Sequence, residues 1–215
     1  MKVVFLFYPK MTALDAIGPH EILSRLPGAE VFRVAKQAGP VLSDSGLVLM
    51  AEYSISQVSQ ADILVIPGGG TATTLRDHPD VLQWIRDMHS QTMWTTSVCT
   101  GSLILGAAGV LSGVRATTHW TVLDRLSLWG ALPVSDRVVE DGKIMTAAGV
   151  SAGIDMALTL TAKIAGPSFA QSMQLAIEYD PQPPFDVGSP EKAHPEILQI
   201  LKSRMTASFE AASPS

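Results

Sequence analysis

Short, nearly continuous apolar runs alternate with amphipathic stretches along most of the chain. Residues 2–8 and 62–66 are rich in aliphatic and aromatic side chains without polar alternation, which is typical of strands buried on both faces. Further strands are predicted at residues 30–35, 93–98 and 143–147, and helices at 12–26, 78–91 and 151–165. This alternation predicts an α/β fold, a three-layer sandwich whose mostly parallel sheet is covered by helices on both faces. Binding sites in such folds lie at the carboxyl ends of the strands.

Proline and glycine positions refine these boundaries. Gly18-Pro19 favours a late start for the helix within residues 12–26. Asp141-Gly142 predicts a hairpin formed by residues 137–140 and 143–147. Prolines between residues 181 and 184 precede a last predicted helix at 194–205 and a tail rich in Ala, Ser and Pro. We therefore expect one α/β domain over residues 1–180, with residues 181–215 a Pro-interrupted C-terminal helix and flexible tail of the same unit.

Composition narrows the function classes. Apolar residues make up 47% of the 215 residues and charged residues 16%, which indicates a compact fold rather than intrinsic disorder. Fifteen Lys and Arg against 20 Asp and Glu give a formal charge of −5, so nucleic-acid binding is disfavoured. One cysteine excludes a disulfide framework and a multi-cysteine zinc site. No apolar run suits a signal peptide or a membrane span, so we expect a cytoplasmic protein with a reduced thiol.

Cys99 is the first candidate for chemistry. It stands between a strand that ends at Val98 and a helix predicted to begin near Thr100. A residue at such a junction projects from a tight turn, and N–H groups at the helix end favour the thiolate over the thiol. The small residues Gly101 and Ser102 leave room for a substrate. The alternative interpretation is a buried structural cysteine that packs as a small hydrophobe.

Two other segments offer partners for Cys99. The glycines of Pro67-Gly68-Gly69-Gly70 would let backbone N–H groups approach a ligand or a developing oxyanion, although the segment could also be a simple flexible turn. It matches neither a P-loop nor the dinucleotide-binding fingerprint. Asp15 could act as a general acid and base beside a thiolate. On spacing alone, Asp15 is better explained as a helix N-cap or first-turn acid, and Glu21 as a surface or capping group.

His119 supports a competing interpretation. It could pair with Cys99 as a base or an orienting group, with Asp124 or Asp136 behind it, or it could be an ordinary, partly buried histidine. The five histidines show neither H-x-H nor H-E-x-x-H spacing, so we expect no metal site.

A serine-hydrolase pattern is the second competitor. Gly149-Val150-Ser151-Ala152-Gly153 matches the G-x-S-x-G nucleophile elbow. Asp180 or Asp186 with His194 could complete a triad, but these residues fall in the Pro-rich segment and the last helix. A role for Ser151 as a helix N-cap would account for the same sequence pattern.

Taken together, these motifs resemble the ThiJ/PfpI superfamily, whose fold is the flavodoxin-like, class I glutamine amidotransferase-like sandwich. The resemblance runs from Met1 to about residue 180. The segments that carry it are Tyr8-Pro9, Leu14-Asp15, Gly18-Pro19 with Glu21, Pro67-Gly68-Gly69-Gly70, Ser97-Val98-Cys99-Thr100-Gly101, Ala116-Thr117-Thr118-His119-Trp120 and Thr146-Ala147-Ala148-Gly149. Amidotransferases and proteases of the superfamily carry His directly after the nucleophilic Cys. This chain has Thr there, which resembles the isonitrile hydratases among the members.

The resemblance implies hydration of an isonitrile, R–N≡C, to an N-substituted formamide, without a cofactor or a metal. Cys99 would be the nucleophile and Asp15 its proton-transfer partner. Backbone N–H groups of Gly69, Gly70 and Thr100 would stabilise developing charge, and the Thr100 hydroxyl would hold Asp15 or water. The residues implied for the walls of the pocket are His119, Trp120, Gly149 and Ile154. Members of the superfamily commonly form homodimers, so a homodimer acting on a small molecule is expected.

The superfamily also contains alternatives. AraC-type regulators share a similar N-terminal domain but append a helix-turn-helix region, and the residues after Tyr179 are too few to hold one. A stand-alone redox-sensing or stress-response role would use the ready oxidation of a low-pKa cysteine. Deglycases and glyoxalases use the same cysteine, but their acid partner is usually Glu, and Asp15 departs from that pattern.

Overall fold

The computed structural model describes residues 1–70 and 72–211, except for the side chains of 73, 74, 76 and 206–211. The strands are β1 (Lys2–Leu6), β2 (Glu30–Ala35), β3 (Gly39–Leu42), β4 (Val48–Ala51), β5 (Tyr53–Ser54), β6 (Ile63–Ile66), β7 (Trp94–Val98), β8 (Arg115–Ala116), β9 (Leu132–Pro133), β10 (Val138–Asp141) and β11 (Ile144–Ala147). The α-helices are α1 (Ala13–Leu23), α2 (Pro79–Gln91), α3 (Gly101–Ala107), α4 (Ala152–Ala165), α5 (Pro167–Ala176) and α6 (Pro195–Ala211). Two further segments are 3₁₀ helices, Ala72–Asp77 and Trp120–Trp129.

A seven-stranded sheet forms the centre of the molecule. Its strands follow the order β10-β11-β7-β6-β1-β2-β5, and all neighbours are parallel except β10 and β11. The side chains of β6 and β11 are buried throughout, as expected for continuous apolar runs in a sheet covered on both faces. Ser97 of β7 pairs with Ile66, and Val98 pairs with Ala147, so β6, β7 and β11 end at the same edge.

Helices cover both faces of this sheet. The connections β1–α1–β2 and β6–α2–β7 run in opposite directions from the middle of the sheet. Because such crossovers are right-handed, α1 and α2 lie on opposite faces. The helix α4 packs against both α1 and α5, while α3 contacts α2. The predicted three-layer sandwich with a mostly parallel sheet is therefore confirmed.

Several boundaries differ from the predictions. Helix α1 begins at Ala13 rather than after Gly18-Pro19, and Pro19 lies inside it. The proline lacks only the N–H that would bond the Asp15 carbonyl, a loss that the surrounding packing tolerates. The 3₁₀ segment Trp120–Trp129 has a kink at Val122. Within the described ranges, none of the helices has the length and apolar character needed to span a membrane.

Candidate active site

Cys99 occupies a sharp turn between β7 and α3. Its φ angle is 55°, in the left-handed region that non-glycine residues rarely adopt. The turn needs a glycine at position 101, because a Cβ there would lie 2.1 Å from the carbonyl oxygen of Ile66. The predicted strand-to-helix junction is therefore present, and it holds the Cys99 side chain at the carboxyl edge of the sheet.

Backbone contacts fix this turn against the neighbouring strand. The Cys99 N–H donates to the carbonyl oxygens of Ala147, at 3.0 Å, and Ala148, at 2.8 Å. The Thr118 hydroxyl donates to the Cys99 carbonyl at 2.9 Å. Segments that follow β7, β8 and β11 thus meet at the cysteine, although they are far apart in the sequence.

Asp15 lies in the first turn of α1 and is fully buried. Its Oδ2 accepts a hydrogen bond of 2.9 Å from the Gly68 N–H. Its Oδ1 is buried and has no hydrogen-bond partner among the described residues. The carboxyl lies close enough to the Cys99 thiol for each group to shift the pKa of the other. The position in the first turn was expected from the sequence, and the burial beside a thiol is what the spacing could not show.

The pKa values of this pair are set mainly by burial. Burial raises the pKa of Asp15 from 3.8 to about 7, against the opposing effects of the Gly68 N–H and the Cys99 thiol. Burial, followed by the charge of Asp15, also raises the pKa of the Cys99 thiol well above its ordinary value. Backbone hydrogen bonds from Val150 and Thr100 to the sulfur favour the thiolate, but they are outweighed. The N–H group of Thr100 at the helix end thus favours the thiolate, as the sequence predicts, but burial opposes it. Asp15 and Cys99 lie close enough for a proton to pass between them.

The segment Pro67–Gly70, here the Gly68 loop, holds the carboxyl in place. A Cβ on Gly68 would lie 2.5 Å from the Thr100 nitrogen and 2.9 Å from Asp15 Oδ2. Only glycine therefore allows the backbone N–H to reach the carboxylate. The Tyr8 hydroxyl, itself buried, donates to the Pro67 carbonyl at 2.9 Å and anchors the start of the loop.

Thr100 and Gly69 have contacts other than those implied by the family resemblance. The Gly69 N–H donates to Thr100 Oγ1 at 2.8 Å, and that hydroxyl donates back to the Gly69 carbonyl at 2.9 Å. The Gly69 N–H is thus already paired, which argues against its role as an oxyanion donor. The Thr100 hydroxyl holds the Gly68 loop, not Asp15. Gly68 and Tyr8 were not singled out from the sequence, because nothing in three consecutive glycines shows which N–H faces the carboxylate.

His119 lies near the turn that carries Cys99, but it does not form the alternative pair with Cys99. Its Nδ1 lies 2.8 Å from Thr121 Oγ1, and burial lowers the pKa of its imidazole. The described residues show no hydrogen bond from His119 to Asp124, Asp136 or the cysteine. Its ring packs against Gly149, where an added Cβ would lie 3.0 Å from Cδ2.

A cavity of about 480 Å³, here the His119 cavity, opens beside the turn that carries Cys99. Its inner wall includes residues in contact with Cys99, namely Thr118, Ala148 and Val150. Of the predicted pocket residues, its lining contains His119, Trp120 and Gly149. Ile154 instead contacts Gly18 of α1. Neither this lining nor that of a hollow of about 510 Å³ at the ends of β1 and β2 includes Cys99, Asp15 or Thr100.

The serine-hydrolase alternative is not assembled. Ser151 is the residue before α4, but its hydroxyl makes no capping bond and instead accepts from Arg137 at 3.3 Å. Asp186 forms an ion pair with Lys192, and His194 is exposed. Glu21 forms a surface ion pair with Arg25, as expected for a surface group.

Metal ligation finds no support in the described part of the chain, where no group of three or more His, Cys, Asp or Glu side chains could hold an ion.

Known proteins place this arrangement in a family. A model of the DJ-1/PfpI family matches residues 1–163. The chain belongs to the DJ-1/PfpI family. An isonitrile hydratase from Pseudomonas putida is 42% identical over 210 residues, which cover 98% of this chain and 92% of that protein. The helix-turn-helix transcriptional regulator CdhR from Pseudomonas aeruginosa is 29% identical over 174 residues, 77% of this chain but only 51% of the regulator.

Solved structures of the family agree with the fold. A ThiJ/PfpI family protein from Pseudomonas syringae superposes with a TM-score of 0.94 at 37% identity, covering 98% of this chain and 88% of the other. Drosophila melanogaster DJ-1beta superposes with a TM-score of 0.74 at 21% identity, over 82% of this chain and 97% of the other. The second likeness supports the fold alone. The resemblance to the ThiJ/PfpI superfamily is thus confirmed.

Proposed function

We propose that the chain is an isonitrile hydratase, which converts R–N≡C and water into the formamide R–NH–CHO. The observation that carries this proposal is the buried pair of Cys99, a candidate nucleophile, and Asp15, a candidate proton carrier, which lie close enough for each to shift the pKa of the other. The 42% identity to the Pseudomonas putida isonitrile hydratase over nearly the full chain supports the same reaction. The substrate would bind beside Cys99, with its R group in the His119 cavity.

The first step joins the substrate to the enzyme. Asp15 accepts the proton of the Cys99 thiol, and the sulfur attacks the terminal carbon of the isonitrile. The same carbon receives the proton back from Asp15, which leaves the thioimidate R–N=CH–S–Cys99 and a carboxylate. Because burial holds the pKa of Asp15 at about 7, the carboxyl can both take and return a proton near neutral pH.

The second step adds water. Asp15 removes a proton from a water molecule as the water oxygen attacks the thioimidate carbon, and passes that proton to the nitrogen, which leaves Asp15 a carboxylate again. The resulting tetrahedral intermediate, R–NH–CH(OH)–S–Cys99, expels the sulfur, whose proton is restored from the hydroxyl by way of Asp15. The backbone hydrogen bonds from Val150 and Thr100 support the sulfur when it carries negative charge. Each atom of R–N≡C and of H₂O is recovered in R–NH–CHO.

The reaction is tested with the purified chain and para-nitrophenyl isonitrile. We expect formamide to accumulate, measured by absorbance and mass spectrometry, with ¹⁸O incorporated from labelled water. The Cys99→Ala variant should form none, because it lacks the attacking sulfur. The Asp15→Asn variant should lose nearly all turnover while its sulfur remains in place.

Three outcomes would count against this scheme. Formamide production by Cys99→Ala would remove the covalent step. Absence of turnover in the unmodified chain, together with conversion of methylglyoxal, would favour the deglycase or glyoxalase-type alternative. Absence of both activities with rapid peroxide oxidation of Cys99 would favour the redox-sensing alternative.

The chain is also proposed to act as a homodimer in the cytoplasm, with residues 181–211 part of the same structural unit. Large apolar side chains of α1 and of the β3–β4 hairpin are exposed near one another, including Ile17 and Met50, which border a common hollow. Such a patch is typical of an interface between copies. Light scattering after size-exclusion chromatography should give a dimer mass, and Met50→Glu should shift it towards the monomer.

A further inference from the structure

The C-terminal part of the chain contributes to the candidate site from outside the region matched by the family model. That model ends at residue 163, whereas Gly188, Ser189, Pro190 and Glu191 line the His119 cavity. These four residues, here the C-terminal wall, line the same cavity as His119 and Val150. The alignment with the Pseudomonas putida isonitrile hydratase covers 98% of this chain and so extends well beyond the family model.

The geometry points to the C-terminal wall as the element that selects the R group of the substrate; this inference rests on the proposed hydratase function. The reacting carbon must lie at the sulfur of Cys99, and the lining residues Thr118, Ala148 and Val150 contact Cys99. An R group that extends past these contacts enters the His119 cavity, whose lining also includes the C-terminal wall. A space of about 480 Å³ is large enough for an aromatic or branched R group.

Local contacts give the C-terminal wall its shape. The Ser189 carbonyl accepts hydrogen bonds of 3.1 Å from the N–H groups of both Lys192 and Ala193. Lys192 in turn pairs with Asp186 at 2.5 Å, which closes the turn from the other side. Ser189 and Pro190 are half-buried, so a larger side chain at position 189 would occupy space at the cavity.

The charges around the cavity indicate the class of R group. Arg137 is the cation among the lining residues, but its Nε already donates to Asp155 at 2.7 Å. Asp136 and Glu191 add two carboxylates to the lining. The cavity should therefore favour isonitriles with neutral or cationic R groups over those carrying a carboxylate. Because both acids are exposed, the preference should be modest and should weaken in high salt.

The size of the R group provides the first test. Ser189→Phe should lower the ratio of kcat/KM for para-nitrophenyl isonitrile to that for methyl isonitrile about tenfold, mainly through KM, since a ring would narrow the cavity. Gln182→Phe places the same ring on an exposed position of the same segment outside the cavity lining, and its ratio should equal that of the unmodified chain.

The charge of the R group provides a second, independent test that does not depend on packing. Glu191→Gln should raise the ratio of kcat/KM for isocyanoacetate to that for n-butyl isonitrile about threefold, the effect of one charge about 7 Å away in a water-like dielectric. The exposed Asp180→Asn, outside the lining, should leave this ratio unchanged.

The outcomes separate this inference from the function on which it rests. If the unmodified chain hydrates none of the four isonitriles, the proposed function fails. If it hydrates them and both ratios remain those of the unmodified chain in Ser189→Phe and Glu191→Gln, the C-terminal wall does not select the R group. A change in either ratio that its control variant lacks supports the inference.

Discussion

Replacing Asp15 by Asn should raise the free energy of unfolding and remove most of the hydratase activity. Asn keeps the shape of the side chain, and its Oδ1 can accept the hydrogen bond that the Gly68 N–H now donates to Asp15. The substitution removes a carboxylate that is fully buried. Burial raises the pKa of Asp15 from 3.8 to about 7, so the native state holds the proton more tightly than the unfolded state does.

The magnitude follows from this difference in pKa. At about 1.36 kcal/mol for each pKa unit, a shift from 3.8 to about 7 corresponds to about 4 kcal/mol. The sign is that of a raised pKa: the native state is favoured when Asp15 is protonated, and stability is lost as the pH rises through about 7. At pH 8 the charged Asp15 therefore destabilises the fold by up to about 4 kcal/mol, and at pH 5 by about 2 kcal/mol or less.

Urea unfolding followed by tryptophan fluorescence at pH 8 and pH 5 tests this reasoning. Asp15→Asn should have a higher unfolding free energy than the unmodified chain, with the larger gain at pH 8, while its hydratase activity is nearly lost. Asp180→Asn, which removes an exposed carboxylate, serves as the control and should show little difference between the two pH values. A loss of stability in Asp15→Asn at pH 8, or a gain that is the same at both pH values, would refute the argument from burial.

Three further predictions concern the same cluster. Thr100→Val leaves the N–H and the carbonyl of Gly69 without their partner and should lower the unfolding free energy by about 2–5 kcal/mol, whereas Thr100→Ser should stay within about 1 kcal/mol of the parent, as measured by urea unfolding. The kcat/KM profile should fall below a pH of about 7 as Asp15 becomes protonated, and this limb should be absent from the residual activity of Asp15→Asn. Gly68→Ala should lower kcat more than about tenfold in steady-state assays, because its Cβ would displace the Asp15 carboxyl. Gly18→Ala, whose Cβ would meet only side-chain atoms of Ile154 and Leu14, should retain most activity.

The fold could be predicted from sequence because its information is local and repeated. Continuous apolar runs at β1 and β6 specify a sheet covered on both faces, and the strand-to-helix junction at Cys99 follows from the alternation of strands and helices. The alternation also indicated which strand ends must meet. The late start assigned to α1 was wrong because the pattern shows that a proline weakens a helix, but not whether tertiary contacts compensate.

The details of the site depend on three-dimensional distances that no spacing in the sequence contains. Whether helix-end N–H groups or burial dominates at Cys99 depends on how completely the sulfur is desolvated, and here burial dominates. Likewise, the pairing of Gly69 with Thr100 and of Gly68 with Asp15 depends on the direction in which each peptide N–H points. Residue type therefore indicated the candidate side chains, Cys99 and Asp15, while the assignment of supporting backbone groups required the structure.

The support of the pair explains why a costly buried carboxyl can stay in place. Asp15 comes from α1, its hydrogen-bond donor from the loop after β6, and the hydroxyl that holds that loop from the residue after Cys99. The residue after Cys99 thus holds the Gly68 loop, and the Gly68 loop holds the carboxyl of Asp15. A carboxyl held this firmly cannot escape to water when it is charged, which is why its pKa stays near neutrality. In the reaction proposed above, the same constraint that destabilises the fold as the pH rises through about 7 gives Asp15 the pKa that a proton carrier needs near neutral pH.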